Sequence, residues 1–154
     1  MNGIHFSTIS PLRDDVRTLM EQLNAHNLSH CPPEICHLAT PEQLAGSDCT
    51  MIGAFSRERL CGMGAIRFMD SYGEITRMFV EEDFRRKGIA KQILDLLVQC
   101  AINRNLQSVK LETSVKFTNA VSFYAASGFT ACAPFGDYVH APHNSYMKKI
   151  LRIT

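Results

Sequence analysis

Apolar and polar positions alternate over residues 4–9, with Ile4, Phe6 and Ile9 apolar, which predicts a first β-strand. Ser10 and Pro11 then read as the N-cap and first position of a helix. Val16, Leu19, Met20 and Leu23 follow at i, i+3, i+4 and i+7, one apolar stripe of an amphipathic helix. Residues 27–50 hold Pro32, Pro33, Pro41 and Gly46 and read as loop, with a short helix over 41–45. Two strands follow at 51–56 and 60–69, joined by a turn at 57–59, and a third at 74–80 is reached through 70–73. Ile89, Ile93, Leu96, Leu97 and Cys100 keep a 3.6 period and predict a helix over 88–103. A short strand at 109–113 comes next, then a helix over 119–127 closed by Gly128, then strands at 129–133 and 146–151.

The resulting order is β-α-(α)-β-β-β-α-β-α-β-β. This is a mixed α/β class, an antiparallel meander followed by a βαβ crossover that makes the strands at 74–80 and 109–113 parallel. Ligands in such sheets bind beyond the carboxyl ends of the strands.

Composition narrows the function without naming it. The chain has 154 residues, the size of one domain, and we expect residues 1–154 to form a single unit. Lys+Arg total 16 against 15 Asp+Glu, a net charge of +1, so bulk attraction to nucleic acid or an anionic membrane is not expected. The N-terminus lacks a basic stretch followed by a long apolar run, and no window has the length of a membrane span. The six cysteines form no C-x-x-C pair, and together these features predict reduced thiols in a cytoplasmic protein. His30-Cys31 and Cys36-His37 hold zinc-ligand residue types, but their spacing fits no usual zinc pattern, so no metal is expected.

The sharpest local feature is Val80-Glu81-Glu82-Asp83-Phe84-Arg85-Arg86-Lys87-Gly88-Ile89-Ala90, a basic glycine-containing turn between a strand and a strong helix. A helix start offers N–H groups without intrahelical partners and a partial positive charge. Gly88 lets backbone approach a ligand closely, and Arg85, Arg86 and Lys87 add mobile charge. Such a turn suits a phosphate or pyrophosphate, although it is neither a P-loop nor a dinucleotide fingerprint. The plainer alternative is a solvated turn whose basic triplet is offset by Glu81, Glu82 and Asp83.

Arg85-x-x-Gly88-x-Ala90 has the form [QR]-x-x-G-x-[GA], and with its strand-then-helix context it resembles the GCN5-related N-acetyltransferase (GNAT) superfamily. Leu111-Glu112-Thr113 on the following strand, and the run from Asn119 through Tyr124 to Gly128-Phe129, extend the resemblance over roughly residues 50–135. The tail, with Pro134-Phe135-Gly136-Asp137-Tyr138 and Asn144-Ser145-Tyr146-Met147, is similar to a bacterial subgroup with a P-F-x-D-Y…P-x-S-x-x-M ending. Ser114, where a glycine is usual, and Ala141, where an acidic residue often precedes the proline, depart from it.

The resemblance implies a GNAT-like fold and acetyl-CoA as co-substrate, with the acetyl group passing directly to the amine of a small molecule or amino-acid-like acceptor. Backbone of Met78, Phe79 and Val80 would pair with the pantetheine arm, and an N–H there would face the developing oxyanion. Arg85, Lys87, Gly88, Ile89 and Ala90 would hold the pyrophosphate, with Arg86 directed to solvent or to the 3′-phosphate, and Asn119 would contact CoA. Tyr124 would be the general acid, or else a helix tyrosine packed on the sheet. Glu74 would be the base, or a strand-end surface carboxylate; Glu112 is its rival. His37, Asp137 and Tyr138 would cover the acceptor side, and Arg67 and Arg77 are further cleft candidates. The superfamily includes monomers and homodimers. Two other readings stay open at this point: a non-catalytic acyl-CoA-binding module, and an acetyltransferase acting on a protein lysine or N-terminus.

Overall fold

Twelve short segments build the chain in the computed structural model, which describes residues 3–28, 39–114, 118–136 and 144–151. Strand β1 spans Ile4–Ile9, helix α1 Asp14–Leu28 and helix α2 Pro41–Ala45. Strands β2 (Cys49–Ser56), β3 (Arg59–Phe68) and β4 (Tyr72–Val80) form the meander. A 3-10 turn at Glu82–Phe84 leads to helix α3 (Ile89–Asn103), followed by β5 (Ser108–Ser114), α4 (Thr118–Ala126), β6 (Thr130–Ala131) and β7 (Asn144–Ile150). The sheet order is β1-β2-β3-β4-β5-β7-β6, with β4 and β5 parallel and every other neighbour antiparallel.

The two faces of the sheet bury separate cores. On one, Ile89, Ile93, Leu94, Leu97, Val98 and Ala101 of α3 pack with Ile66, Ile75, Val109, Leu111 and Tyr124. On the other, Val16, Leu19, Met20 and Leu23 of α1 and Leu44 of α2 pack on Met51, Phe55, Met63 and Ala65. The α1 stripe is therefore the one the periodicity predicts. In α3 the buried flank is Leu94 and Val98, while Leu96 is 40% exposed. Both flanks satisfy a 3.6 period beside Ile89, Ile93 and Leu97, and packing on the sheet selects between them.

Helix α1 starts at Asp14, three residues later than the Ser10-Pro11 pair suggests. Ser10 instead closes a separate turn: its Oγ accepts from the Leu12 N–H at 3.1 Å and its carbonyl from the Arg13 N–H at 3.3 Å. Asp14 and Asp15 then place negative charge in the first helical turn, where the helix dipole favours it. Helix α2 has a full capping box, with Thr40 Oγ1 accepting from Gln43 N at 3.1 Å and Gln43 Oε1 from Thr40 N at 2.9 Å.

Two irregularities in β4 shape the site. Thr76 faces Ala65 and Phe79 faces Met63, so Arg77 and Met78 together oppose Gly64 in a β-bulge. Arg77 is left-handed there, with φ 57°. The β4–β5 ladder, moreover, runs only from Tyr72↔Ser108 to Ile75↔Leu111. Beyond that point β4 continues along β3 to Val80↔Gly62, and β5 continues along β7 to Ser114↔Asn144. The two parallel strands thus part into a V between residues 76–80 and 112–114, at the carboxyl end of β4.

Gly64 holds the bulge in shape. A Cβ there would overlap Met78 Sδ and lie 2.8 Å from Ile93 Cγ2 and 3.1 Å from Leu97 Cδ1. Gly64→Val is expected to lower the melting temperature by about 3–10 °C, an overpacking cost of about 1–3 kcal/mol in a domain of this size. A thermal melt checks it.

Candidate active site

The turn at 81–90 closes the mouth of the V. Phe84 N–H donates to Glu81 O at 2.9 Å and Arg85 N–H to Glu82 O at 3.2 Å, forming the 3-10 turn. Arg86 (φ 64°) and Gly88 (φ 78°) are both left-handed and reverse the chain into α3. The bond from Gln92 N–H to Gly88 O, at 3.1 Å, belongs to the first turn of α3, so the N–H groups before Gln92 point out of the helix start. Left-handed residues beside such groups make a concave anion-binding backbone. Ile89 is buried, so only its N–H can serve a ligand, whereas Arg85, Arg86, Lys87 and Gly88 are exposed.

Charge around this turn is arranged to leave it positive. Glu81 is engaged elsewhere: Arg59 donates to its Oε1 at 3.0 Å, and Gln22 Nε2 to its Oε2 at 3.4 Å. Among the described residues, no ion pair joins Glu81, Glu82 or Asp83 to Arg85, Arg86 or Lys87. The idea of a self-neutralised turn thus lacks its pairs. Arg85 ties the turn to the strand, its Nε donating to Val80 O at 2.8 Å and its guanidinium lying 5.4 Å from the Phe79 ring. Lys87 Nζ sits 5.6 Å from the Phe84 ring.

The candidate acid and the candidate bases lie on opposite faces of the sheet. Tyr124 packs in the α3-side core, edge-on to Phe123 at 5.1 Å and to Phe129 at 5.7 Å. Burial pushes its hydroxyl well above the ordinary value of 10, so it stays protonated, as a proton donor must. The ring thus packs on the sheet, and the hydroxyl keeps its proton. Glu74 pairs in register with Arg67 and Lys110, on the face that α1 covers, and is 3% exposed, which overturns the alternative of a surface carboxylate. Arg67 Nη1 lies 3.8 Å from its Oε1. Glu112 alternates with buried Leu111 and pairs with Tyr146, so it shares the face of Glu74, half-buried. Tyr124 and Glu74 can be approached together only where β4 and β5 part.

Met78 and Phe79 line β4 beside this gap and Val80 ends it, while Asn119 is exposed on the first turn of α4. His37, Asp137 and Tyr138 lie outside the described residues. Arg77 resolves as a residue of the α1 face: its Nη2 donates to Asn24 Oδ1 and, at 3.5 Å, to Met20 O. Burial lowers its pKa to about 10, and its Nε has no hydrogen-bond partner. Met78 lies on the other face, against Ile93 and Leu97 across Gly64. Lys110 belongs to the site surroundings too, and its only sequence signal was its alternation with Val109 and Leu111.

Because the Tyr124 hydroxyl is pushed upward, no alkaline limb from its ionisation should appear in kcat below pH 10. A limb near pH 8–9 that vanishes in Tyr124→Phe would contradict this placement.

A mixed sheet that opens between its two parallel strands, with a helix start at the mouth of the opening, defines an acyl-CoA N-acyltransferase fold. Solved structures share it: an acetyltransferase of the GNAT family from Staphylococcus aureus Mu50 superposes with a TM-score of 0.77 over 97% of this chain and 99% of its own, at 19% identity. The PaiA N-acetyltransferase of Thermoplasma acidophilum, solved in complex with coenzyme A, gives 0.75 over 96% and 99%, at 18% identity. In sequence, the uncharacterized N-acetyltransferase YsnE of Bacillus subtilis (strain 168) is 34% identical over 90% of this chain and 93% of its own. The IAA acetyltransferase of Azospirillum brasilense is 31% identical over 98% and 100%. Residues 15–129 match the Acetyltransferase (GNAT) family, and the chain belongs to it. It is an acetyltransferase that uses acetyl-CoA.

Proposed function

We propose that the enzyme transfers acetyl from acetyl-CoA to the amine of a small or amino-acid-like acceptor, by direct attack in a ternary complex. The observation that carries this reading is the V between β4 and β5, which runs from the cationic helix start to buried Glu74. The pyrophosphate would lie on Arg85, Lys87 and the N–H groups of Gly88, Ile89 and Ala90, with Arg86 at the solvent edge. The pantetheine arm would follow the backbone of Met78, Phe79 and Val80, and Asn119 would approach CoA from α4.

An ammonium with a pKa near 10 has no lone pair, so the amine first loses its proton, in this reading to Glu74. The nitrogen then attacks the thioester carbon. Charge developing on the carbonyl oxygen is met by an N–H of the β4 bulge region. The C–S bond breaks, Tyr124 donates its proton to the departing sulfur, and the surplus proton of the attacking nitrogen passes through water to restore Tyr124, leaving a neutral amide and the CoA thiol. Glu112, two residues past Lys110 on the same face of β5, is the alternative proton acceptor. His37, Asp137 and Tyr138 are assigned to the acceptor side. A small acceptor is favoured by the burial of Glu74, which an extended protein segment would reach with difficulty, and by the name of the Azospirillum relative.

Two measurements test this. Acetyl-CoA should raise the melting temperature, and a panel of small amines should release free thiol where peptide lysines do not. Binding without turnover of any amine would leave only an acyl-CoA-binding module. Glu74→Gln should lower kcat/KM about a hundredfold at pH 7 and progressively less toward pH 10, where the acceptor loses its proton unaided. If Glu112→Gln shows that profile instead, the base is Glu112.

A further inference from the structure

The face of the sheet that holds Glu74 carries a row of charge across four strands. Arg67 on β3 pairs with Glu74 on β4, Glu74 with Lys110 on β5, and Lys110 with Lys148 on β7. Directly paired residues point to the same side, with neighbouring strands about 4.8 Å apart. The row therefore sets one carboxylate among three cations. Glu74 and Lys110 form the last ladder pair but one before the strands part, so the row lies at the closed end of the V.

The cations exceed what Glu74 can satisfy. Arg67 approaches it only to 3.8 Å, and Arg67 Nε is buried with no hydrogen-bond partner. Lys110 and Lys148 stand directly opposite each other, which is unfavourable for like charges, and among the described residues neither has an ion pair. Lys110 Nζ rests instead over the Tyr72 ring at 4.6 Å, with the Phe135 ring at 5.6 Å. Phe135 lies edge-on to Tyr72 at 5.5 Å and to Tyr146 at 5.8 Å, so three rings form a wall beside the ammonium. A carboxylate placed between the two lysines would relieve their repulsion and supply a charge-assisted hydrogen bond that rings cannot.

We propose that the acceptor is an α-amino acid with an aromatic or apolar side chain, held by its carboxylate at Lys110 and Lys148. Its amine then turns toward Glu74, on the strand next to that of Lys110, and its side chain lies against Tyr72, Phe135 and Tyr146. The assignment rests on the acetyltransferase reading above and adds the chemistry of the acceptor to it.

Matched pairs that differ only in the carboxylate test it: phenylalanine against phenethylamine, and leucine against isopentylamine, with thiol release as the readout. The wild-type enzyme should prefer each amino acid by about tenfold or more in kcat/KM, chiefly through KM. Lys110→Met, whose side chain still covers the rings, should bring that ratio close to one. Its acetyl-CoA-induced rise in melting temperature, unchanged from wild type, shows that the variant is folded. An amine used as well as its amino acid, a preference that survives Lys110→Met, or turnover of neither series by an enzyme that binds acetyl-CoA would overturn the proposal while sparing the donor site. No acetyl-CoA-induced shift in the wild-type enzyme would overturn the acetyltransferase reading and this one with it.

Discussion

Tyr124→Phe is expected to lower kcat about a thousandfold and to leave acetyl-CoA binding intact, in line with the usual 10²- to 10⁴-fold contribution of a positioned proton donor. The ring itself would be kept, with its edge-on contacts to Phe123 and Phe129 and its place in the core beside Leu111 and Met147. Only the hydroxyl is lost, so a fall in kcat without a fall in melting temperature reports on proton donation and not on packing. Single-turnover thiol release and a thermal melt on the same preparation measure the two separately. An unchanged kcat would leave Tyr124 a structural residue and move the acid role elsewhere.

Gly88→Val should abolish the response to acetyl-CoA. At a hundredfold excess over Kd, ligand binding contributes about 2.7 kcal/mol, which for a domain of this size is a rise of roughly 5–10 °C in melting temperature. Gly88 is left-handed at φ 78°, a conformation that a β-branched residue resists at about 1–2 kcal/mol. Its relief would shift the N–H groups at the start of α3 and place a side chain where the anion must approach. The apo protein should melt a few degrees lower and acetyl-CoA should then add nothing. Arg85→Ala offers the complementary case: it removes one cation and the bond to Val80 O while keeping the backbone turn, and a partial response is expected.

Much of this was legible in the sequence because local pattern and tertiary role coincide there. The α1 stripe, the meander and the strand–turn–helix around Gly88 each follow from short-range periodicity and turn chemistry. Glu74 and Tyr124 likewise fall on their expected elements, though nothing local announces the burial of Glu74. What escaped depends on register between distant strands. Lys110 acquires its meaning only when β4 and β7 come to lie on either side of it. The bulge at Arg77 is a second case, since arginine has no preference for a left-handed backbone and Gly64, the residue that makes room, is thirteen positions earlier. Leu94 and Leu96 are equivalent by period and differ only in what the sheet presents to them. Ser10 carries a valid capping signal that a single turn uses before the helix can.

The sheet keeps two cores apart, one beneath α3 and one beneath α1 and α2. Residues well separated across such a partition combine additively when substituted. On the proposed assignment, donor recognition at the start of α3 and acceptor recognition around Glu74 and Lys110 would thus be close to independent design variables. Changes at Lys110 or Tyr72 would then redirect the enzyme to a new amine without re-optimising its hold on CoA. Divergence within one such scaffold then needs alterations on a single face, and the other face can be inherited whole.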